Sequence, residues 1–249
     1  NPSTTEPLGD VTSHTKKPLT SKDARDFDLV VFGATGFTGQ LVAKHIAKTY
    51  TKKQLKWAIA GRSQSKLENV LSDLNLNKDD VPIIIADSGN VNQLNALVRS
   101  TKVVISTAVP FLLYGSELVR QCSLNGTHYC DITGEIDWIR IMIDMHDDAA
   151  KKTGAKIIPL CGHDCIPWDL SVLALSNELK KHDKNDELME VNCYDEIRAD
   201  ASGGTMKTVF TALGNRRKYK AAIGFDPLLK EGNGNKSTNK FIIRRRHKK

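Results

Sequence analysis

The feature that most constrains this chain is Gly33-Ala34-Thr35-Gly36-Phe37-Thr38-Gly39, three glycines spaced by three. An apolar run, Phe27 to Phe32, precedes it, and an amphipathic run, Leu41 to Tyr50, follows. Strand, glycine turn, helix is the order that gives such a pattern meaning. Gly33 permits a tight turn, Gly36 leaves room for a pyrophosphate to approach the backbone, and Gly39 lets the helix pack closely on the strand. The N-terminus of the helix presents unpaired N–H groups and a partial positive charge to phosphates. Thr35, Phe37 and Thr38 complete the candidate cofactor loop. The alternative reading is a tight βα turn that binds nothing.

The residues that follow keep the same rhythm. Strands are expected at Asp28–Phe32, Lys56–Ala60, Pro82–Ala86, Lys102–Ser106, Thr127–Cys130 and Lys156–Pro159. Helices are expected at Gly36–Tyr50, Ser65–Leu74, Val91–Arg99, Gly115–Asn125 and Trp138–Thr153. Short β-branched runs alternating with helices of this length predict βαβ units and a parallel sheet covered on both faces. Right-handed crossovers make it doubly wound. The fold class is therefore α/β, a Rossmann doubly wound parallel sheet, over residues 26–165. After Pro159 the rhythm changes. A helix from Pro167 to about Lys181, a strand at Val191–Ala199 and a short helix after Ser202-Gly203-Gly204-Thr205 suggest a partial α+β second domain over residues 166–225. Residues 1–25, rich in Ser, Thr, Lys and Pro, read as a disordered or docking arm. Residues 226–249 read as a basic tail, with one candidate element at Phe241–Ile243.

Charge is placed unevenly. The 249 residues carry a net +7, but the stretch after Met206 alone carries a net +11, thirteen basic residues against Asp226 and Glu231. The nucleotide-binding part is therefore mildly acidic. The basic end lacks interleaved aromatics and any nucleic-acid module, which argues against specific nucleic-acid binding. A solvated tail is the plain reading, followed by an anionic lipid surface or an acidic protein partner. No apolar run reaches transmembrane length. Five cysteines at irregular spacing point to free thiols in a reducing, intracellular compartment. A chain opening at Asn1 is compatible with a processed organelle precursor. The expected location is an organelle or the cytoplasm, with membrane association as a further option.

The ends of the strands carry the chemistry. The second strand ends in Gly61-Arg62-Ser63, where an NAD site wants an acidic residue. Arg62 and Ser63 instead suit a 2′-phosphate, and Lys66 adds charge one turn later, favouring NADP(H) over NAD(H). Asp87, after the third strand, is placed to meet an adenine edge, while Ser88 or Asn90 suits a helix N-cap. Thr107, Ala108, Val109 and Pro110 follow the fourth strand, beside the middle and nicotinamide end of a dinucleotide. The glycine spacing is common in short-chain dehydrogenases, yet no Tyr-x-x-x-Lys pair occurs anywhere in the chain.

Several ordered motifs together resemble the saccharopine-dehydrogenase-like oxidoreductases, a family that includes trans-acting enoyl reductases of lipid synthesis. They are the turn from Gly33 to Gly39, Ala60-Gly61-Arg62, Pro110-Phe111 with Tyr114-Gly115, and Cys122. They continue with Gly126 to Glu135, Cys161-Gly162 with Asp164, Ile166-Pro167 and Asp169-Leu170, and Ser202-Gly203-Gly204-Thr205. The resemblance runs from Phe27 to about Pro227. It implies a Rossmann domain followed by an α+β domain whose sheet roofs the nicotinamide cleft. Val109 stands where the family usually has Gly, and His163, Cys165 and Trp168 also depart from its pattern. The resemblance implies a longer second domain than this chain carries.

Cys161-x-His163-x-Cys165 offers metal-ligand spacing but no evident fourth ligand, so no metal is expected. Tyr129, Asp131 and His163 are the candidate proton donors, and bracing of loops by Asp131 and Glu135 is the alternative. The expected activity is NADP(H)-dependent hydride transfer to or from an imine, a carbonyl or an activated C=C of a small or lipid-like molecule. The second reading is a non-catalytic accessory or scaffold subunit of a larger assembly.

Overall fold

The computed structural model describes residues 24–182, 188–196 and 202–214. Six strands form one fully parallel sheet: β1 (Phe27–Phe32), β2 (Trp57–Gly61), β3 (Ile83–Ile85), β4 (Thr101–Ser106), β5 (His128–Asp131) and β6 (Ile157–Ile158). Their order is β3-β2-β1-β4-β5-β6. The β1 register pairs Phe32 with Ala60 on one side and with Ser106 on the other. The C-terminal ends of β1, β2 and β4 therefore open together, where the strand order reverses, the usual place for a ligand in such a sheet.

Alternation along β1 explains both covering layers. Val30 and Phe32 face a core shared with Leu94, Leu97, Leu118, Cys122 and Trp138. These come from α3 (Val91–Ser100), α5 (Ser116–Asn125) and α6 (Ile136–Thr153). Val31 faces the opposite core with Ala43, Ile46, Leu67 and Val70, from α1 (Phe37–Thr49) and α2 (Gln64–Asp73). A strand buried on both faces reads as a continuous apolar run, as Leu29–Phe32 of β1 does.

The sheet and its long helices lie where the periodicity puts them. Asn90, rather than Ser88, caps α3, its side-chain oxygen accepting the Gln93 N–H at 3.1 Å. The four-residue α4 (Phe111–Tyr114) is additional. Too short for a periodic signal, it is set by Pro110, which follows a cis peptide and precedes the first helical turn.

Two expectations are corrected. Residues 191–196 adopt no strand. Their alternating pattern has no partner strand among the described residues, and an unpaired strand has nothing to satisfy its backbone. Residues 197–199 lie outside the described residues, as do residues 1–23, the basic tail and Phe241–Ile243. The second correction is Arg25, taken as the last residue of the arm. It is buried at the lower end of the sheet, donating to Thr101 O at 2.6 Å, Thr127 Oγ1 at 2.8 Å and Asn125 O at 2.7 Å.

Beyond the sheet lie α7 (Ile166–His182) and α8 (Gly203–Gly214). The helix expected after the Ser-Gly-Gly-Thr segment in fact starts within it. Ser202 Oγ accepts the Thr205 N–H at 3.2 Å, which fixes the first turn. Among the described residues no helix is long and apolar enough to cross a membrane.

Candidate functional site

The glycine turn is built by close approach. Gly33 has φ +83, a region side chains rarely adopt, and a Cβ there would stand 2.9 Å from Ala108 N. At Gly39 a Cβ would meet Ala34 Cα and Thr107 Oγ1, both at 2.8 Å. Thr107 completes the junction. Its hydroxyl donates to the carbonyls of Phe32 and Gly33 at 3.1 Å, tying the end of β4 to the turn.

Gly36 differs from its two neighbours. A Cβ there would meet only Gly33 O, at 3.4 Å, so its outer side is open space. It is the N-cap of α1, with no side-chain cap and no acidic residue in the first turn. The first N–H groups of α1 thus point, uncapped by any side chain, into a cleft of about 320 Å³. Of the expected cofactor residues, Gly33, Thr35, Gly36, Phe37, Thr38, Arg62, Thr107, Ala108 and Val109 line this cleft. Gly39 lies beneath the turn as packing. Ser63, Lys66, Asp87 and Pro110 stand outside the lining. Ser63 instead meets Ser65, 3.3 Å between hydroxyls, and Asp87 Oδ1 accepts the Gly89 N–H at 2.8 Å, holding the turn into α3.

The cleft also contains residues the sequence did not single out as site residues: Ser88, Tyr114, Ser202, Gly204 and Lys207. Gly204 explains how Val109 is accommodated. A Cβ on Gly204 would collide with Val109 Cγ2, so the Ser-Gly-Gly-Thr segment packs directly on the Val109 side chain. Lys207 Nζ donates to Tyr114 OH at 3.0 Å and lies 5.1 Å from the centre of its ring. That hydrogen bond, more than any other influence, pulls the Tyr114 phenol below its ordinary pKa. Tyr114-Gly115 was visible as part of a family motif; nothing in the sequence linked it to a lysine 93 positions away.

The three candidate proton donors are not brought together in this cleft. Tyr129 is 1% exposed, and its hydroxyl donates to Asp131 Oδ2 at 2.7 Å. Asp131 Oδ1 accepts the N–H of Thr133 at 3.0 Å and that of Leu160 at 3.3 Å. Burial pushes both groups above their ordinary pKa values. This pair braces the loops after β5 and β6, with the Tyr129 hydroxyl committed to Asp131. His163 is exposed, 3.1 Å from Asp195 Oδ2 and edge-on to Trp168. Glu135 is a brace too, accepting the N–H groups of Phe111 and Leu112 at 2.8 Å. Among the described residues no group of three or more His, Cys, Asp and Glu could hold a metal ion.

The cleft fits a dinucleotide. It offers an uncapped helix N-terminus, open space above Gly36, and the Arg62 guanidinium, which has no hydrogen-bond or ion-pair partner among the described residues. The described lining includes the cations Arg62 and Lys207 and no carboxylate. Gly33, Gly36 and the first turn of α1 would hold a pyrophosphate, and Arg62 an additional phosphate.

The family model described as saccharopine dehydrogenase NADP binding domain matches residues 29–158, and this match agrees with a dinucleotide cleft. A trans-acting enoyl reductase of Mycobacterium leprae is 41% identical over 172 residues, 69% of this chain and 40% of that protein. A putative trans-acting enoyl reductase of Mycobacterium tuberculosis is 37% identical over 190 residues, 76% of this chain and 45% of that protein. The matches thus span less than half the length of these relatives. Among solved structures, saccharopine dehydrogenase (L-Glu forming) from Saccharomyces cerevisiae aligns with a TM-score of 0.47 and 16% identity, covering 62% of this chain and 32% of that one.

Proposed function

The chain belongs to the saccharopine dehydrogenase NADP binding domain family, and on that premise we propose that it binds NADPH in the glycine cleft and serves the reduction of an activated C=C bond. The observation that carries this reading is the uncapped N-terminus of α1 over the open side of Gly36, facing a cleft lined by cations. Relatives named trans-acting enoyl reductases supply the bond type, in preference to a carbonyl or an imine. They favour an enzymatic role over an accessory subunit.

The roles of this chain's residues follow from their placement. The α1 N–H groups neutralise the pyrophosphate, and Arg62 selects the 2′-phosphate. Thr107 and Gly39 hold the turn rigid beneath them. When bound, NADPH supplies the hydride. Tyr129, Asp131 and Glu135 fix the loops at the nicotinamide side of the sheet without touching the reacting atoms.

The test uses NADPH carrying deuterium at the transferable position with an α,β-unsaturated acyl thioester. Deuterium in the saturated product supports the reading. Transfer to a ketone or an imine but not to the thioester overturns the C=C assignment. NADPH binding without transfer to any of the three overturns the reductase role of this chain.

A further inference from the structure

Lys207 sits in the first turns of α8, far in sequence from the glycine turn, yet it lines the same cleft as Arg62 and Ser88. Two contacts place it there. Gly204 packs on Val109, which sets the helix against the loop after β4, and Tyr114 OH receives the Lys207 ammonium at 3.0 Å. Gly61 and Arg62, at the end of β2, and Ala86 and Ser88, just after β3, line that same cleft with Tyr114 and Lys207. In this sheet order those two strands flank the adenosine half of a dinucleotide. Tyr114 and Lys207 therefore share one cleft with the residues at its adenosine end. With two cations and no carboxylate in the described lining, that end is suited to a dianionic group.

We propose that Lys207 is a second contact for the 2′-phosphate of NADP(H), held for that role by Tyr114, so that the segment from Ser202 closes the adenosine end of the cleft opposite Arg62. This rests on the reading that the cleft binds NADP(H). It makes cofactor choice a property of two separate segments, the β2–α2 turn and the start of α8. A lysine ammonium suits the task because it is a mobile point charge that can turn from the phenol to a phosphate oxygen.

The experiment titrates wild-type protein, Lys207→Met and Lys207→Arg with NADPH, NADH, adenosine 2′,5′-bisphosphate and AMP. Lys207 is exposed, so both variants are expected to fold. Loss of one charge-assisted contact predicts NADPH and adenosine 2′,5′-bisphosphate binding about tenfold weaker in Lys207→Met, with NADH and AMP unchanged. Lys207→Arg restores the preference. Equal weakening of NADPH and NADH assigns Lys207 to the pyrophosphate and overturns the proposal, as does no weakening at all. Either result leaves the NADP(H) reading standing if the wild type binds NADPH. A wild type that binds neither dinucleotide defeats both.

Discussion

The Glu135 carboxylate accepts the backbone N–H of Phe111 at 2.8 Å through one oxygen, while its other oxygen takes that of Leu112. A side chain from the loop after β5 thus caps α4, the four-residue helix that ends in Tyr114. Glu135→Ala leaves two helix N–H groups without their acceptor and is expected to cost about 1–2 kcal/mol in denaturant unfolding. Glu135→Gln keeps one acceptor oxygen and should lose less.

Gly36 and Gly39 separate binding from folding. Gly36 has φ −77 and ψ 163, ordinary for any residue, and a methyl group there meets only Gly33 O at 3.4 Å. Gly36→Ala should keep the wild-type melting temperature while abolishing dinucleotide binding, because the methyl occupies the side a pyrophosphate approaches. Gly39→Ala drives a methyl into the Ala34 backbone and Thr107, and should destabilise by about 2 kcal/mol or more. Thermal melts and cofactor titration of the two variants check the contrast.

Arg25 should behave as a core residue despite its place beside the arm. Arg25→Ala removes three buried hydrogen bonds and leaves the carbonyls of Thr101 and Asn125 without that donor. The expected loss is about 3 kcal/mol in urea unfolding. Arg25→Lys should recover only part of it, because an ammonium cannot reproduce the guanidinium fork.

His146 gives the fold a pH dependence. Burial, with Arg120 as a lesser cause, lowers its pKa below the ordinary histidine value of 6.5. The folded state therefore binds the proton more weakly than the unfolded chain. The contribution of this group is present above pH 6.5 and is lost as pH falls toward the depressed folded value. Melting temperature measured from about pH 8 to about pH 5 should fall less steeply in His146→Gln than in wild type.

The sheet was legible in the sequence because most of its strands are apolar runs bounded by turn residues, with β5 (His-Tyr-Cys-Asp) placed by its position in the rhythm, and the helices covering it have periodic faces. The glycine turn was legible for the same local reason. The pairing of Tyr114 with Lys207 was not, because a contact between residues 93 positions apart leaves no local pattern. Tyr129 and Asp131 were legible as titratable groups after β5; the hydrogen bond between them, two residues apart on one face of the strand, shows only in the structure. The alternation at residues 191–196 resembled a strand, but a strand is made by its neighbour, and none lies beside it among the described residues.

Titration of the protein with NADPH and with NADH, followed by cofactor fluorescence, tests the cleft most directly. Saturable binding of NADPH, with NADH weaker by about tenfold or more, is the expected result, and Arg62→Ala should bring NADPH close to NADH. Failure to bind NADPH at millimolar concentration, or equal affinity for the two in the wild type, would contradict the assignment of this cleft to NADP(H).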